Sequence, residues 1–214
     1  MSHERWRSLI NRVHVVGAKR SVCDAAGIAR LESAFGLTLP VGYREFCDVF
    51  GSGELSGFIR IFCLCLDEDS VDNANFLRTT QECLGLDALE TELKWEIEHS
   101  ERGHPAADRA QLLLFKEVLI NAFCFGNDPN ANIYLWDLKS YSESDQSCDI
   151  YLVPSDDLGK TTLLGRDFFE FIQDFCLGSQ ASKILPPNFS FFEEFVLNTF
   201  HRFDEETIRI FLPE

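Results

Sequence analysis

The cysteines and histidines are the residues of this chain that could support metal binding or nucleophilic catalysis. Cys63 and Cys65 form a C-x-C pair, whose thiols would point to one face of a strand. A tetrahedral zinc site needs two more ligands, and Cys83, His99 and His104 are available without a second C-x-x-C or H-x-x-x-H spacing. Nor does any spacing among the eight cysteines and five histidines select a nucleophile and its base. We therefore expect mostly buried, reduced thiols, no metal, no cofactor and no catalytic site.

Three other segments resemble ligand-binding loops only in part. The glycines of "GSGEL" (51–55) lack the lysine of a Walker loop, and they follow a helix rather than a strand. We interpret them as a helix end and a turn. "DEDSVD" (67–72) and "FGNDPNAN" (125–132) offer oxygen atoms. Neither has the twelve-residue calcium loop with a glycine at its sixth position and a closing glutamate.

In the first hundred residues, the apolar residues mostly follow the spacing of helices, and one run is rich in β-forming residues. Asp24 and Gly36 have the residue types of a helix N-cap and a left-handed C-cap, and Pro40 suits the first turn of the next helix. "GFIRIFCLCL" (57–66) is typical of a strand. Helices are predicted at 3–15, from Asp24 to Gly36, from Pro40 to Gly51, and from about 86 to 98.

The second half of the chain is predicted to form strands and then helices. Short apolar runs indicate strands at 112–118, 120–126, 132–138 and 148–154, with the middle two forming a hairpin. Asp167 and Glu170 form a capping box ahead of a helix that Gly178 ends. Ser190 and Glu193 repeat this spacing before a last helix with Phe192, Phe195, Val196, Phe200 and Phe203. The order predicts an α+β fold, with helices flanking a mixed, mostly antiparallel sheet and an extra C-terminal helix.

Aromatic residues alternate along two of the predicted strands. Tyr134 and Trp136 share one face of a strand, and Tyr151 lies on the next strand along the chain. These side chains could line a binding cleft, or they could pack in the core, which is the more common position for such residues.

The charge is strongly negative and unevenly distributed. The formal charge is -16, from 19 basic and 35 acidic residues. Residues 67–101 contain eleven acidic and two basic residues, and residues 141–157 contain five acidic and none basic. Such a surface is incompatible with gripping a nucleic-acid backbone. It suits a basic protein partner, although acidic residues also serve solubility alone.

The sequence contains no recognisable membrane or export segment. Arg12 and His14 interrupt the apolar residues of "RWRSLINRVHVVG", and no small-residue cleavage site follows. No run of 18 apolar residues occurs. We therefore expect a cytoplasmic protein that does not bind membranes, and a monomer or homodimer, since the Phe-rich last helix could mediate a dimer.

The segment "IARLESAFGLTLPVGYREFCDVFGSGELSGF" (28–58) resembles the N-terminal signature of the SMI1/KNR4 family, also called the SUKH superfamily. "FCFGNDPNANIYLWDL" resembles its central hairpin, although "NDPNA" replaces the usual acidic, glycine-containing turn. "LGRDFFEFIQDFCLG" resembles its closing aromatic-rich helix. The resemblance covers about residues 20–178. The matching signature positions are Ile28, Glu32, Gly36, Leu39, Pro40, Tyr43, Phe46, Gly51 and Gly53.

This resemblance implies an α+β binding scaffold without catalytic residues. Bacterial members are typically immunity proteins that neutralise a cognate polymorphic toxin, delivered by contact-dependent or type VI secretion in interbacterial competition. Fungal members act in cell-wall signalling, so a non-catalytic regulatory or scaffold protein is the alternative. An enzyme with an unrecognised Cys/His site is a third hypothesis. We expect residues 1–178 to form the family domain and 179–214 to form a linker and a helix that packs on it or extends it.

The acidic segments supply the candidate toxin contacts. The toxin would present a basic surface, as proteins that grip nucleic acid do. The predicted contacts lie in the loop after the first strand, on the long acidic helix and after the last strand. They are Asp67, Glu68, Asp69, Asp72, Glu92, Glu96, Asp156 and Asp157.

Overall fold

The computed structural model describes residues 2–18, 23–66, 79–100, 106–155, 157–184, 198–204 and 206–208. Within these ranges an eight-stranded sheet has the order β1-β8-β2-β3-β4-β5-β6-β7. Strands β1 and β8 pair in parallel, and the other neighbours pair antiparallel. The strands are β1 His14–Val16, β2 Gly53–Leu55, β3 Ile59–Ile61, β4 Ala122–Asn127, β5 Ile133–Ser142, β6 Ser147–Val153, β7 Thr162–Gly165 and β8 Thr199–Arg202.

Helices flank this sheet, which confirms the predicted α+β class. The first three are α1 Ser2–Ile10, α2 Ala25–Phe35 and α3 Val41–Val49. Two helices that contact each other follow between β3 and β4, namely α4 Leu86–Ser100 and α5 Ala106–Ile120. After β7 come α6 Phe168–Glu170, which continues as a π-helix at Phe171–Cys176, and α7 Ala181–Ile184. A 3₁₀ helix at Leu158–Lys160 lies between β6 and β7.

The corner between α2 and α3 forms as the sequence predicts. The Asp24 carboxylate accepts a hydrogen bond from the Gly27 amide at 2.7 Å and begins α2. Gly36 ends α2 with φ 60°, a conformation that glycine adopts at no steric cost. The Leu39 amide donates to the Glu32 carboxylate at 2.7 Å, so a side chain of α2 fixes the link that leads into α3.

One face of the sheet carries an aromatic core under α1, α3 and α6. Trp136 stacks on Phe125 with ring centroids 4.1 Å apart and meets the edge of Tyr43 at 4.9 Å. Phe168 contacts both Trp136 and Phe46. Because large aromatic side chains bury much apolar area, this cluster contributes a large part of the stability of the fold.

The α4–α5 pair lies on the opposite face of the sheet. Ile133 belongs to that face, since it precedes Tyr134 on β5, and its Cδ1 atom lies 2.7 Å from where a Cβ on Gly85 would stand. The Gln81 side chain, just before α4, bonds the backbone N–H and C=O of Cys124 where β4 bulges. The acidic helix is therefore anchored to the sheet at its N-terminal end.

Two predictions in the N-terminal part were wrong in their boundaries. The helix predicted at 3–15 ends at Ile10, and His14–Val16 forms β1. This strand forms because β8 pairs with it and the His14 amide donates to the Asn198 carbonyl at 2.8 Å. The strand predicted at 57–66 is shorter, since only Ile59–Ile61 is paired as β3.

The strand predicted at 112–118 was wrong, because this segment is part of α5. The continuous run "LLLFKEV" conceals helical spacing, in which Leu112, Phe115 and Leu119 are buried. Leu113 and Leu114 point outward and are exposed. Residues 106–110 belong to this helix as well.

The last predicted helix was wrong at its end, because Thr199–Arg202 forms strand β8. This strand lies between β1 and β2, and Phe200 is fully buried against Phe50. The earlier part of that predicted helix falls in 185–197, outside the described residues. The division of the chain at residue 178 stays a prediction.

Candidate partner-binding surface

The predicted acidic contacts that the structure describes lie at two places. Glu92 is exposed and Glu96 half-buried, and both are on α4. Asp157 lies before the 3₁₀ helix that packs against α5. Asp67, Glu68, Asp69, Asp72 and Asp156 lie outside the described residues.

Asp157 has a local structural role. Its Oδ1 atom accepts a hydrogen bond from the Gly159 amide at 3.1 Å, which caps the 3₁₀ helix. Its Oδ2 atom pairs with Lys160 Nζ at 2.9 Å. This carboxylate therefore holds a turn and is also partly neutralised, and both effects reduce what it could offer a partner.

The acidic residues of α4 divide between two flanks of the helix. Leu89 and Leu93 are buried and define its inner stripe. At 100° per residue, Glu92 and Glu96 lie on one side of this stripe. On the other side Glu90, Lys94 and Glu98 follow one another at intervals of four residues.

A groove of about 540 Å³ opens along this second flank, between α4 and α5. Its floor is apolar, and Glu and Lys side chains form its rim. Sequence reasoning missed it because α5 was predicted as a strand. The lining residues are Glu90, Leu93, Lys94, Ile97, Glu98, Lys116, Leu119 and Ile120.

A second hollow, of about 470 Å³, continues from the end of α5. Ile120 lines both hollows, so they are neighbours on the surface. The second is bounded by Leu37, in the link after α2, and by Leu138 and Tyr141 of β5. The two together extend from the helix pair towards the α2–α3 corner.

A further acidic site appears on β5 and β6, where Asp137 lies directly opposite Asp149. Arg166 pairs with Asp149 at 2.6 Å and lies 3.7 Å from Asp145. Burial raises the pKa of Asp137, and the charge of Asp149 adds to this effect. In the sequence, Asp137 and Asp149 each stand between residues that face the core, which indicates that both face outward. Only the register of the two strands shows that they lie opposite each other.

The aromatic residues considered for a cleft divide between core and surface. Tyr134 and Trp136 are fully buried, so core packing is the correct interpretation for them. Tyr151 is half-buried on the opposite face, beside exposed Leu163 of β7. Burial and the nearby charges of Asp149 and Asp137 raise the pKa of Tyr151.

The acceptor-rich turn after β4 uses its carboxylate internally. Asp128 is buried and accepts hydrogen bonds from the amides of Asn130 and Asn132, the Asn132 side chain and the Tyr134 hydroxyl. Burial nevertheless raises its pKa. These bonds close the hairpin turn, which is a structural role.

Six of the eight thiols are buried, which is the environment of core residues rather than of nucleophiles. None of the eight cysteines, all of which the structure describes, forms a disulfide, and Cys83 is the exposed one. Burial raises the pKa of Cys47 well above its ordinary value, and hydrogen bonds with Cys23 and Cys63 add to this shift. Burial raises the pKa of Cys124 to about 12. A reactive thiol needs a lowered pKa, so this environment opposes nucleophilic chemistry.

No group of three metal-binding side chains occurs in the described part of the chain. The "GSGEL" glycines have structural roles: Gly51 has φ 80° after α3, and Gly53 begins β2. A Cβ on Gly53 would lie 2.5 Å from the His201 carbonyl oxygen, so only glycine lets β8 approach β2 here. Across the described ranges, the helices are too short or too polar to cross a membrane.

The sequence profile of the SMI1/KNR4 family (SUKH-1) matches residues 23–174, which is more than half of the chain. The protein therefore belongs to the SMI1/KNR4 family, and the observed α+β architecture agrees with that membership. Searches of curated proteins and of solved structures each returned no significant match.

Proposed function

We propose that this protein is a bacterial immunity protein, which binds a cognate polymorphic secreted toxin and occludes its active site. The observation that carries the proposal is the family match over residues 23–174, because bacterial members of this family are typically immunity proteins. The protein would act as an inhibitor in the cytoplasm and not as an enzyme.

The charge distribution supports a basic protein as the partner. The formal charge is -16, and residues 67–101 carry a large share of the excess. Part of this segment forms α4, which is anchored on the sheet and faces solvent on its outer side. A toxin with a basic active-site surface would be drawn to this acidic face, and the bound protein would cover the residues that contact its substrate.

The contacts that we propose from charge are the predicted acidic residues. Glu92 and Glu96 are the described members on α4, and they share one flank of that helix. The contribution of Asp157 should be smaller, because it caps a turn and pairs with Lys160. Asp67, Glu68, Asp69, Asp72 and Asp156 stay proposed contacts from the sequence alone.

The test is co-expression with the product of the neighbouring gene in the genome, followed by co-purification. We expect a toxin gene beside this one, and we expect its catalytic domain to form a stable complex with the protein. An unrelated toxin of the same enzymatic class serves as the specificity control. A neighbouring toxin that fails to bind would contradict the proposal. It would favour the alternative, a regulatory or scaffold protein of the SMI1/KNR4 type.

A further inference from the structure

The groove between α4 and α5 combines an apolar floor with an exposed apolar side chain at its end. Leu93 and Leu119 are buried in its floor, and Ile97 is half-buried. Ile120, on its α5 wall, is 68% exposed. Leu113 is also exposed and lies on the same face of α5 as Ile120, seven residues away. Together with the apolar floor of the groove, these side chains form a continuous apolar surface of the kind that marks an interaction site.

The dimensions of the groove suit a short helix. Its α4 wall runs from Glu90 to Glu98, which is about 12 Å at 1.5 Å per residue. Its volume is about 540 Å³, and Ile120 at its end also lines the second hollow. An amphipathic helix of about two to three turns could place its apolar stripe on this floor, as in other helix-in-groove complexes.

The charge of the occupant follows from the surroundings of the groove. On the rim itself Glu90 and Glu98 are balanced by Lys94 and Lys116. The rest of α4 adds Asp87, Glu92 and Glu96 with no further basic residue except the weakly basic His99, so the field around the groove is negative. A second copy of this chain, with its formal charge of -16, would be repelled from it.

We propose that the α4–α5 groove binds a basic amphipathic helix of the partner protein. This deepens the proposed function, because it places the toxin contact in an apolar groove and assigns the acidic residues of the surrounding surface mainly to steering. Exposed Ile120 and half-buried Ile97 supply the affinity by burying apolar area against the helix, while the acidic surroundings raise the association rate.

The direct test compares Ile120→Asp with Leu114→Asp. The two residues are matched, because both are aliphatic, both lie on α5, and they are 68% and 69% exposed. Leu114 points away from the groove by helical spacing. The probe is a synthetic 18-residue amphipathic helix of Leu and Lys, titrated while the emission of Trp95 is recorded. Trp95 is the exposed one of the three tryptophans and lies on α4.

We expect saturable binding of this peptide, weakened about tenfold or more by Ile120→Asp and less than about twofold by Leu114→Asp. Thermal unfolding of both variants verifies that they fold. Two double variants test whether the peptide lies on the groove side of α4. The change of Glu90 and Glu98 to Lys, on the groove rim, should weaken peptide binding more than the change of Glu92 and Glu96 to Lys, on the other flank. Equal effects of Ile120→Asp and Leu114→Asp, or the absence of saturable binding, would overturn the groove proposal.

The same variants are then titrated with the catalytic domain of the toxin from the neighbouring gene. Loss of toxin binding with Ile120→Asp alone supports the groove as the contact. Toxin binding that neither variant changes leaves the immunity function standing and overturns the groove as its site. Peptide binding in the groove without any toxin binding supports the groove chemistry and contradicts the immunity function. Self-association that depends on Ile120, measured by light scattering, would replace the basic helix with a second copy as the occupant and overturn the proposal.

Discussion

Asp137 and Asp149 lie directly opposite each other on the antiparallel strands β5 and β6. Arg166 pairs with Asp149 at 2.6 Å, and the Asp137 carboxylate accepts a hydrogen bond from the Lys139 amide at 3.0 Å. Like charges that face each other across a strand pair repel. Partial burial and this repulsion together raise the pKa of Asp137 above its ordinary value of 3.8.

The raised pKa of Asp137 predicts a specific pH dependence of stability. Asp137 has an ordinary pKa of 3.8 in the unfolded chain and a higher pKa in the folded protein. Between these two values, its carboxyl group holds a proton in the folded state that it has released in the unfolded state. The free energy of unfolding should therefore fall as the pH rises through this window. Asp137→Asn removes this step, so the stability of the variant relative to the native protein should increase across the same window. Urea unfolding at several pH values measures the difference.

The matched control is Asp87→Asn, which removes one carboxylate from the exposed surface of α4. If the unfolding free energies of Asp137→Asn and the native protein ran parallel between pH 4 and neutrality, the assigned interaction would be wrong.

The buried hydroxyl of Tyr43, a residue of the family signature, is predicted to stabilise the fold. Its hydroxyl donates to the Phe62 carbonyl at 2.9 Å and accepts from the Leu64 amide at 2.7 Å, in a fully buried position. Tyr43→Phe should lower the free energy of unfolding by about 1–3 kcal/mol, because both backbone groups would lose a partner. The same change at the half-buried Tyr151 is the control and should cost less. Similar losses in urea unfolding for both variants would contradict this role.

The burial of Phe200 predicts that the C-terminal segment contributes to the stability of the sheet. It is fully buried on β8, the strand that joins β1 to β2. Phe200→Ala should cost about 3–5 kcal/mol, the usual loss for a large aromatic side chain in a core. Ile184→Ala, at an exposed position on α7, should change the free energy of unfolding only slightly. A loss below about 1 kcal/mol at Phe200 would show that β8 contributes little to the fold.

The sequence correctly predicted those elements whose ends are decided by residues close together in the chain. Asp24, Gly36 and Pro40 marked the ends of α2 and the start of α3, because capping is decided within one turn. The hairpin of β4 and β5 was predicted from its turn-rich link. Asp167 caps α6 as expected, accepting from the Phe169 amide at 2.7 Å.

The errors fall where distant partners decide the structure. The Phe residues near 200 follow a helical spacing, but pairing with β1 and β2 makes Thr199–Arg202 a strand. In the run 112–118 the exposed Leu113 and Leu114 hid the helical face of α5. The groove could not be predicted for the same reason, since one of its walls was assigned to a strand. The acidic surface was visible in the sequence, but the division of α4 into two flanks needed the packing of Leu89 and Leu93.

The acidic segment after β3 predicts an electrostatic effect on toxin association. Reversal of Asp67, Glu68 and Asp69 to Lys should slow association with the toxin and reduce its dependence on salt. Three reversals at exposed Glu4, Glu143 and Glu170 change the net charge equally and serve as the control. Stopped-flow association at several salt concentrations measures both. If the two triple variants had the same association rates, this segment would have no special part in steering.

The most direct test of the proposed immunity function uses the toxin encoded beside this gene. Its enzymatic activity is measured while increasing amounts of this protein are added. Occlusion of the active site predicts that toxin activity falls to zero at one equivalent of this protein, and that excess substrate competes with the inhibition. Ile120→Asp should require a large excess, whereas Leu114→Asp should inhibit like the native protein. A toxin that remains fully active in the presence of excess native protein would contradict the proposed immunity function.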